Sequence, residues 1–229
     1  MVNCCHYDSD EAGRLFSRFA RRHRRHYQHK GLSKSQQQLT RGISLVGVGG
    51  ATLLEIGCGV GYLQQKLLAD GAASATGVDL SETMIAQARR LAEAQGFAGR
   101  TAYHVGDFVS IREQVPMSDI TLLDKVICCY PDAEGMVKHS LDKTRRLYAL
   151  TFPKNNWFNR LGVRILGTVM RLLRIEFRNF VHDPLVIERW ATERSFQRVY
   201  SAQTLLWDTR VYARVPEPVN AAAPPPSKS

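Results

Sequence analysis

The residues with the clearest potential for chemistry lie in the run LLEIGCGVGYL, at positions 53–63. An acid, Glu55, stands within an aliphatic stretch, and glycines then follow at Gly57, Gly59 and Gly61. This order is typical of a buried strand that ends in a tight turn and leads into a helix, because glycine allows a positive φ and lets bare backbone approach a ligand. The run therefore predicts a nucleotide-like ligand at the end of the strand.

Details of the turn exclude two common nucleotide sites. A dinucleotide fingerprint would require glycine at position 62, where this chain has Tyr62. A phosphate-binding P-loop with its Gly-Lys pair is not present in the sequence either. A carboxylate at Glu55 would repel a phosphate, but it suits a cationic or hydrogen-bond-donating group such as the amino-acid end of S-adenosylmethionine.

Two further acids follow the next predicted strands. Asp79 ends the strand in TGVDL, 22 residues after Gly57, at the place where an acid in such folds holds ribose hydroxyls. Asp107 follows the strand TAYHV, and its carboxylate can accept a hydrogen bond from an adenine amino group while Phe108 covers a ring face. Asp79 also suits a helix N-cap, a role that Ser81 shares, and capping is compatible with ribose binding.

These three ordered motifs resemble those of the seven-stranded S-adenosylmethionine-dependent methyltransferases, over roughly residues 50–213. The resemblance implies S-adenosyl-L-methionine as the cofactor and an α/β fold with a doubly wound, mostly parallel seven-stranded sheet. It also implies a C-terminal antiparallel hairpin, an N-terminal helical lid and a helical insertion before strand 6.

The resemblance assigns parts of the cofactor to particular residues. Glu55 would hold the methionine amino group directly or through water, Asp79 the ribose, and Asp107 with Phe108 the adenine, while Asp124 would contact the methionine part. The full set of cofactor-binding residues that it implies is Glu55, Gly57, Cys58, Gly59, Gly61, Asp79, Leu80, Met84, Asp107, Phe108 and Asp124.

From residue 52 onward the hydrophobic pattern alternates between strand and helix, which favours a parallel sheet with helices on both faces. The strands are predicted at 52–56, 75–79, 101–105, 119–127 and 146–152, and the helices at 60–69, 82–95 and 133–144. The segment SFQRVYSAQTLLWDTRVYAR predicts the closing hairpin. The expected organisation is a lid at 1–40, a methyltransferase domain at 41–215 with an insertion at about 154–194, and a disordered tail at 216–229.

The composition suits one globular domain. The chain has 229 residues, of which 44% are hydrophobic. No apolar run approaches the length that crosses a bilayer, and the first residues do not form a secretory signal, so we expect a cytoplasmic location. Because the five cysteines have neither zinc-site nor disulfide-framework spacing, no metal site is predicted; they are Cys4, Cys5, Cys58, Cys128 and Cys129.

A net charge of +10 favours anionic partners: nucleic acid, an acidic membrane surface or a carboxylated substrate. Part of this charge lies on a helix predicted at about 9–29, for which Asp8 and Glu11 form a capping box. In the family that the chain resembles, such a helix often closes over the cofactor, which makes Tyr27 and Lys30 candidate contacts. A solvated basic face on a packed helix is an equally good interpretation.

A second basic segment, predicted as a helix at roughly 156–176, is not required by the sheet. Its arginines, including Arg160 and Arg164, share one side, and apolar residues such as Phe158 and Leu161 occupy the other. Packing of the apolar side on its own domain is the favoured interpretation. The helix can instead lie against an anionic membrane surface or cap a pocket for an apolar, acidic substrate, and these arrangements are not exclusive.

Methyl transfer from a sulfonium requires no metal and no covalent intermediate, since positioning and the exclusion of water supply most of the catalysis. The acceptor is expected after the fourth strand, where residues 130–132 (Tyr-Pro-Asp) would line the mouth of the pocket. Relatives that methylate amino groups of nucleic acids and of glutamine carry Asn/Asp-Pro-Pro-Tyr/Phe here, and this difference argues against amino methylation of a base. Tyr130 and His182 are the candidate catalytic residues, although a structural role is the commoner one for a histidine. Cys128 and Cys129 are interpreted as core residues of an apolar strand.

The sequence therefore predicts transfer of a methyl group to a small-molecule acceptor, and our preferred hypothesis is O-methylation of an apolar acidic compound such as a quinone precursor or a tetrapyrrole. Peripheral contact with an anionic membrane surface is a further expectation, and nucleic acid is the less favoured partner. The alternatives are a nucleic-acid-binding methyltransferase and a catalytically idle, methyltransferase-like partner protein.

Overall fold

The computed structural model describes Gly13, Ser17, Tyr27 and residues 29–172 and 180–216. Several predicted features lie outside the described residues: the capping box of Asp8 and Glu11, most of the helix at 9–29, the last residues of the helix at 156–176, and the tail from 217 onward.

The strands are β1 (Thr52–Ile56), β2 (Ser74–Asp79), β3 (Thr101–Val105), β4 (Ser118–Asp124), β5 (Thr144–Pro153), β6 (Phe196–Gln203) and β7 (Trp207–Arg214). They form one seven-stranded sheet in the order β3-β2-β1-β4-β5-β7-β6. β7 is antiparallel to both of its neighbours, whereas the pairs from β3 to β5 are parallel. The predicted mostly parallel sheet with a C-terminal antiparallel hairpin is thus confirmed.

The helices are α1 (Lys34–Val46), α2 (Tyr62–Ala69), α3 (Glu82–Ala94), α4 (Phe108–Ile111), α5 (Ala133–Asp142), α6 (Trp157–Leu172) and α7 (Pro184–Thr192). Helices cover both faces of the sheet. Since successive side chains of a strand point to opposite faces, each central strand packs against helices on both sides. Along β5, Leu147 and Ala149 pack with residues of α1 and α2, while Tyr148 and Leu150 pack with residues of α5 and α7. Both faces of the central strands are therefore buried.

The chain reverses its direction across the sheet between β1 and β4. β2 and β3 extend the sheet on one side of β1, and β4 and β5 extend it on the other. In open α/β sheets this reversal opens a crevice at the carboxyl ends of the two strands. Glu55 near the end of β1 and Asp124 at the end of β4 both lie at this edge.

Helix α1 has no counterpart among the predicted elements. The backbone N–H of Ser33 donates to the side-chain oxygen of Gln36 at 3.0 Å, a contact typical of a helix start. Leu39 and Ile43 are fully buried against the sheet. The predicted boundary between lid and domain, at residue 40, falls inside this helix.

The end of β4 corrects one prediction. The strand predicted at 119–127 ends at Asp124, and Lys125 has a φ of +62°, which an extended strand cannot accommodate. A short 3₁₀ helix follows at Ile127–Cys129. Cys128 and Cys129 therefore lie in a helical turn beside the carboxyl edge of the sheet and not in a strand.

Helix α6 corrects another prediction. It is strongly amphipathic, but Phe158, Leu161, Ile165 and Leu172 are between 47% and 78% exposed. The interpretation that the helix packs its apolar side on its own domain is therefore wrong for these four side chains.

Within the described ranges, no helix combines the length and the apolar character needed to cross a membrane.

Candidate functional site

The glycine turn after β1 leaves room for a ligand. Gly57 has a φ of +66°, and a Cβ at this position would lie 2.5 Å from Cγ2 of Val126, so glycine is required there by both conformation and space. Gly59 has a φ of +53°, but a Cβ at this position would meet no atom of the described residues within 4 Å. The backbone at Gly59 thus borders open space that a ligand can occupy.

A cavity of about 530 Å³ opens beside this turn, at the carboxyl ends of β1, β2 and β4. Ten of the eleven predicted cofactor residues line it: Glu55, Gly57, Cys58, Gly59, Asp79, Leu80, Met84, Asp107, Phe108 and Asp124. Gly61 does not line it; this glycine has a φ of +78° at the start of α2, where a Cβ would lie 2.7 Å from the side-chain nitrogen of Gln64. The three sequence motifs therefore meet at one cavity.

Four carboxylates line the cavity and give it its electrostatic character: Glu55, Asp79, Asp107 and Asp124. Glu55 is buried and accepts a hydrogen bond from the backbone N–H of Gln64 at 3.2 Å. Burial, and next the charge of Asp124, raise the pKa of Glu55 well above its usual value. Burial also raises the pKa of Asp79. A cation in this cavity would relieve the repulsion between these carboxylates.

Asp124 has an unpartnered oxygen. Its Oδ2 accepts a hydrogen bond from the side-chain amide of Gln36 at 2.9 Å and lies 3.5 Å from the ammonium of Lys125. Its Oδ1 is buried, and no described residue is within hydrogen-bond reach of it. Because a buried acceptor without a partner is costly, this oxygen favours a ligand that donates a hydrogen bond.

Asp107 is anchored inside the protein by three hydrogen bonds, one of which comes from the hydroxyl of Ser110 at 2.9 Å. Its side chain accepts a hydrogen bond from the backbone N–H of Val109, as the N-cap of α4, and another from the hydroxyl of Tyr130 at 3.0 Å. Phe108 is buried in the main apolar core and still contributes to the cavity wall. The predicted adenine side of the site is thus a rigid wall.

Of the two candidate catalytic residues, only Tyr130 lines the cavity. The ring nitrogen Nε2 of His182 lies 2.8 Å from the carbonyl oxygen of Ile127, and burial lowers the pKa of this histidine. His182 is therefore a structural neighbour of the turn that holds Cys128 and is not part of the cavity wall.

Sequence reasoning missed several lining residues. Ser33 and Gln36 reach the cavity from the start of α1, a helix that was not predicted. Tyr62 also lines it, and its ring stacks on Tyr27 with 3.5 Å between the ring centroids. Lys125 was overlooked because it falls within the strand predicted at 119–127; the only signal was its position directly after Asp124.

Described residues of the N-terminal segment contact the rim of the site. The hydroxyls of Ser17 and Ser81 lie 2.7 Å apart, and a Cβ on Gly13 would lie 2.8 Å from the carbonyl oxygen of Leu80. Together with the stacking of Tyr27, these contacts bring the segment against the loops after β1 and β2. A lid function for this segment stays a prediction.

The residues present fit S-adenosylmethionine. The methionine ammonium and the sulfonium of this molecule are cationic, as the carboxylates of Glu55 and Asp124 require. Asp79 stands at the end of β2 for a ribose, and Asp107 at the end of β3 for an adenine. A pyrophosphate would instead face an acidic cavity, which argues against a dinucleotide.

Comparison with known proteins agrees with this site. Residues 53–146 match a family model described as a methyltransferase domain, and this range contains the glycine turn and the four acids that line the cavity. A comparison with curated proteins gives no match.

Solved structures with the same fold include methyltransferases of several kinds. Magnesium protoporphyrin IX methyltransferase from Synechocystis PCC 6803, with bound SAH, has a TM-score of 0.69 at 18% identity, over 91% of this chain and 100% of that one. An O-methyltransferase family 2 protein from Planctomyces limnophilus DSM 3776, in complex with apigenin, has a TM-score of 0.65 at 16% identity, over 94% and 64%. Geranyl diphosphate C-methyltransferase from Streptomyces coelicolor A3(2) has a TM-score of 0.64 at 13% identity, over 82% and 80%. From the family model that residues 53–146 match, the Rossmann-like fold and the acidic cavity, this chain contains a methyltransferase domain with a site that fits S-adenosylmethionine.

Proposed function

We propose that the enzyme methylates an oxygen of a small, apolar acceptor that carries an acidic group, as a quinone precursor or a tetrapyrrole does. The observation that carries this proposal is the position of Lys125 in the wall of the cavity. Among the described residues that line the cavity, Lys125 is the only lysine or arginine. A single cation in an otherwise apolar or acidic wall is suited to one acidic group of a substrate.

Lys125 is held in a strained conformation. A φ of +62° costs a residue with a Cβ about 1–2 kcal/mol. The backbone N–H of Lys125 donates to the carbonyl oxygen of Thr151 at 2.9 Å, and its ammonium lies 5.1 Å from the ring centroid of Trp207. Such strain persists where the surroundings define the conformation, as they often do at functional sites.

The wall near Lys125 is mostly apolar. Val126 and Met136 line it together with Cys129 and Tyr130. These side chains would exclude water from the reacting groups and would favour an apolar acceptor body. Among structures that share this fold, one protein is named for magnesium protoporphyrin IX and another was solved with apigenin, so the fold is compatible with acceptors of this shape.

No general base is needed for an ionised oxygen acceptor. The hydroxyl of Tyr130 donates its hydrogen bond to Asp107, which makes this tyrosine a wall residue in our proposal. When bound, S-adenosylmethionine supplies the methyl group. The chain's own contribution is to hold the acceptor with Lys125, to orient it, and to keep water away.

Labelled methyl transfer tests this function. The purified protein is incubated with isotopically labelled S-adenosylmethionine and a metabolite extract separated into acidic, neutral and nucleic-acid fractions, and products are identified by mass spectrometry. We expect label on an oxygen of an apolar acid. Label confined to the neutral fraction or to nucleic acid would contradict the proposal.

The Lys125→Met variant then tests the role of the ammonium. It should raise the KM for the acidic acceptor by about 10- to 100-fold, since a hydrogen bond to a charged group is lost, while Lys125→Arg retains most of the activity. Lys66→Met is the matched control, because Lys66 on α2 pairs with Asp70, the residue that follows this helix. An unchanged KM in the Lys125→Met variant would remove this residue from acceptor recognition.

A further inference from the structure

Helix α6 presents an apolar face to solvent. Phe158, Leu161 and Ile165 recur at helical spacing and are all exposed. The ring of Trp157 stacks on Phe158, with 3.7 Å between the ring centroids. Side chains of this size are normally buried, so a continuous exposed set of them indicates an interaction surface.

The tip of the β6–β7 hairpin extends this face. Leu205 and Leu206 are 83% and 49% exposed. The side-chain amide of Asn159 on α6 donates to the carbonyl oxygen of Leu206 at 2.9 Å, and the N–H of Lys154 donates to the same oxygen at 2.8 Å. Helix and hairpin tip are therefore joined into one surface, which we call the α6 patch: Trp157, Phe158, Leu161, Ile165, Leu205 and Leu206.

The surroundings of the α6 patch are basic. Arg160 and Arg164 are exposed on the same helix. From residue 154 to residue 175 the chain contains five lysines and arginines and no aspartate or glutamate. Bulky apolar and aromatic side chains beside arginines, without acids, match an anionic lipid surface, where the rings enter the headgroup region and the guanidinium groups pair with phosphates.

We propose that the α6 patch docks the enzyme on the surface of an anionic membrane. The protein binds peripherally, with α6 lying in the plane of the interface. A neutral protein partner would not require the excess of arginine, and a nucleic acid would not require the exposed rings and leucines.

The α6 patch lies at the same edge of the sheet as the cavity. β5 leads into α6 at its carboxyl end, and Lys125 at the cavity lies above the ring of Trp207, the residue that follows Leu206. An apolar acceptor dissolved in the membrane would therefore reach the cavity without crossing water. This link to the acceptor rests on the proposed function, whereas membrane docking itself does not.

Vesicle binding by the full chain tests the docking. Vesicles of phosphatidylcholine, alone or mixed with phosphatidylglycerol, are sedimented with the protein. We expect binding to the mixed vesicles, and a decrease of at least about tenfold in affinity for the Phe158→Ser/Leu161→Ser variant, because two exposed side chains no longer enter the lipid. The Arg160→Gln/Arg164→Gln variant should lose about fivefold in affinity for the mixed vesicles for each arginine, and its preference for them over phosphatidylcholine alone should decrease accordingly.

A matched control lies at the opposite edge of the sheet. Leu45, which is 67% exposed in the last turn of α1, and Met117, which precedes β4, are apolar residues outside the α6 patch. The Leu45→Ser/Met117→Ser variant should bind vesicles as the unsubstituted chain does. The fluorescence of Trp157 should shift to shorter wavelength on binding, and this shift should be absent in the Trp157→Phe variant.

Three outcomes would overturn the docking proposal: no binding of the unsubstituted chain to mixed vesicles, an equal loss in the control and patch variants, or a concentration-dependent dimer that the patch variant abolishes in the absence of vesicles. Calorimetric binding of S-adenosylhomocysteine should be the same in all variants. If the protein does not bind vesicles, the docking proposal fails and the proposed acceptor chemistry stands. If the protein methylates no apolar acid, in solution or in vesicles, the proposed function fails and the docking proposal stands.

Discussion

The carboxylate of Asp79 accepts a hydrogen bond from the backbone N–H of Gly59 at 2.8 Å, which ties the end of β2 to the glycine turn after β1. Its other oxygen accepts a hydrogen bond from the N–H of Ser81 at 2.9 Å. The acid expected to hold the ribose therefore also holds the turn that borders the cavity. Cofactor affinity and the stability of this turn should thus respond together to changes at Asp79.

The Asp79→Asn and Asp79→Ala variants test this coupling. Asn retains one acceptor oxygen for two N–H donors, and Ala retains none, so cofactor affinity should fall by about tenfold for Asn and about 100-fold for Ala. Both variants should also unfold at a lower temperature. Calorimetry with S-adenosylhomocysteine and thermal unfolding measure the two effects. Glu82→Gln, an exposed carboxylate three residues away, is the control; equal effects in this control would contradict a specific role for Asp79.

Glu55 should make the stability of the free protein depend on pH. The pKa of Glu55 is raised in the folded protein, so the folded state retains this proton to a higher pH than the unfolded chain, where the value is about 4.3. The corresponding stability is present below the unfolded-state pKa and is lost as the pH rises through the folded-state pKa. The free energy of unfolding should therefore fall over this window. Glu55→Gln, which cannot ionise, should remove this part of the slope in denaturant titrations.

Cofactor binding should show the opposite dependence at Glu55. An ammonium about 4 Å from a carboxylate gains about 4 kcal/mol at an effective dielectric constant near 20, and this attraction favours the ionised form of Glu55 in the complex. Binding should then release a proton and become tighter as the pH rises through the raised pKa. Calorimetry in buffers of different ionisation enthalpy counts the proton. Proton release that is unchanged in the Glu55→Gln variant would assign it to another group.

The sequence predicted the strand-end acids because each is specified by a local pattern. Glu55, Asp79 and Asp107 each stand at or directly beside the end of a short apolar strand, so the parallel sheet alone was enough to bring them to one edge. The closing hairpin was predicted from the pattern of residues 195–214, and the seven-stranded, doubly wound sheet was implied by the family resemblance. These are the parts of the fold in which local propensity and tertiary structure agree.

The features that were missed depend on contacts between distant residues. Helix α1 begins with KSQQQ, which has few apolar residues, and it is stabilised by the burial of Leu39 and Ile43 on the sheet. Gln36 reaches Asp124, a residue 88 positions away in the sequence. The left-handed backbone of Lys125 likewise has no signature in residue type, because propensity disfavours it and only the surrounding structure imposes it.

The two glycines of the turn should fail in different ways. Gly57→Ala should destabilise the protein, since φ is +66° and the new Cβ would meet Val126 at 2.5 Å. Adding Val126→Ala should relieve the contact but not the strain of about 1–2 kcal/mol. Gly59→Ala introduces the same backbone strain, but its Cβ points into open space. It should therefore weaken the binding of S-adenosylhomocysteine by more than its effect on the stability of the protein explains. Equal effects of both substitutions on binding would show that Gly59 does not border the ligand.

Thiol reactivity offers an independent test of the cavity. The hydrogen bond from Cys128, whose sulfur lies 3.5 Å away, lowers the pKa of Cys129, while burial raises the pKa of Cys58. Cys129 also lines the cavity and is partly exposed. With limiting iodoacetamide near neutral pH, Cys129 should therefore react first of the three cysteines that the structure describes, since the thiolate is the reactive form.

Bound S-adenosylhomocysteine should slow this alkylation of Cys129, because the ligand occupies the cavity that the reagent must enter. Peptide mapping by mass spectrometry identifies the modified residue, and Cys129→Ser is the control that should abolish the early product. Faster labelling of Cys58 or Cys128, or a rate at Cys129 that saturating ligand leaves unchanged, would contradict this arrangement. The alkylation rate of Cys129 follows its thiolate fraction, so it should increase with pH and level off above the pKa of this thiol. Because that pKa is lowered, the plateau should be reached at a lower pH than for an ordinary thiol.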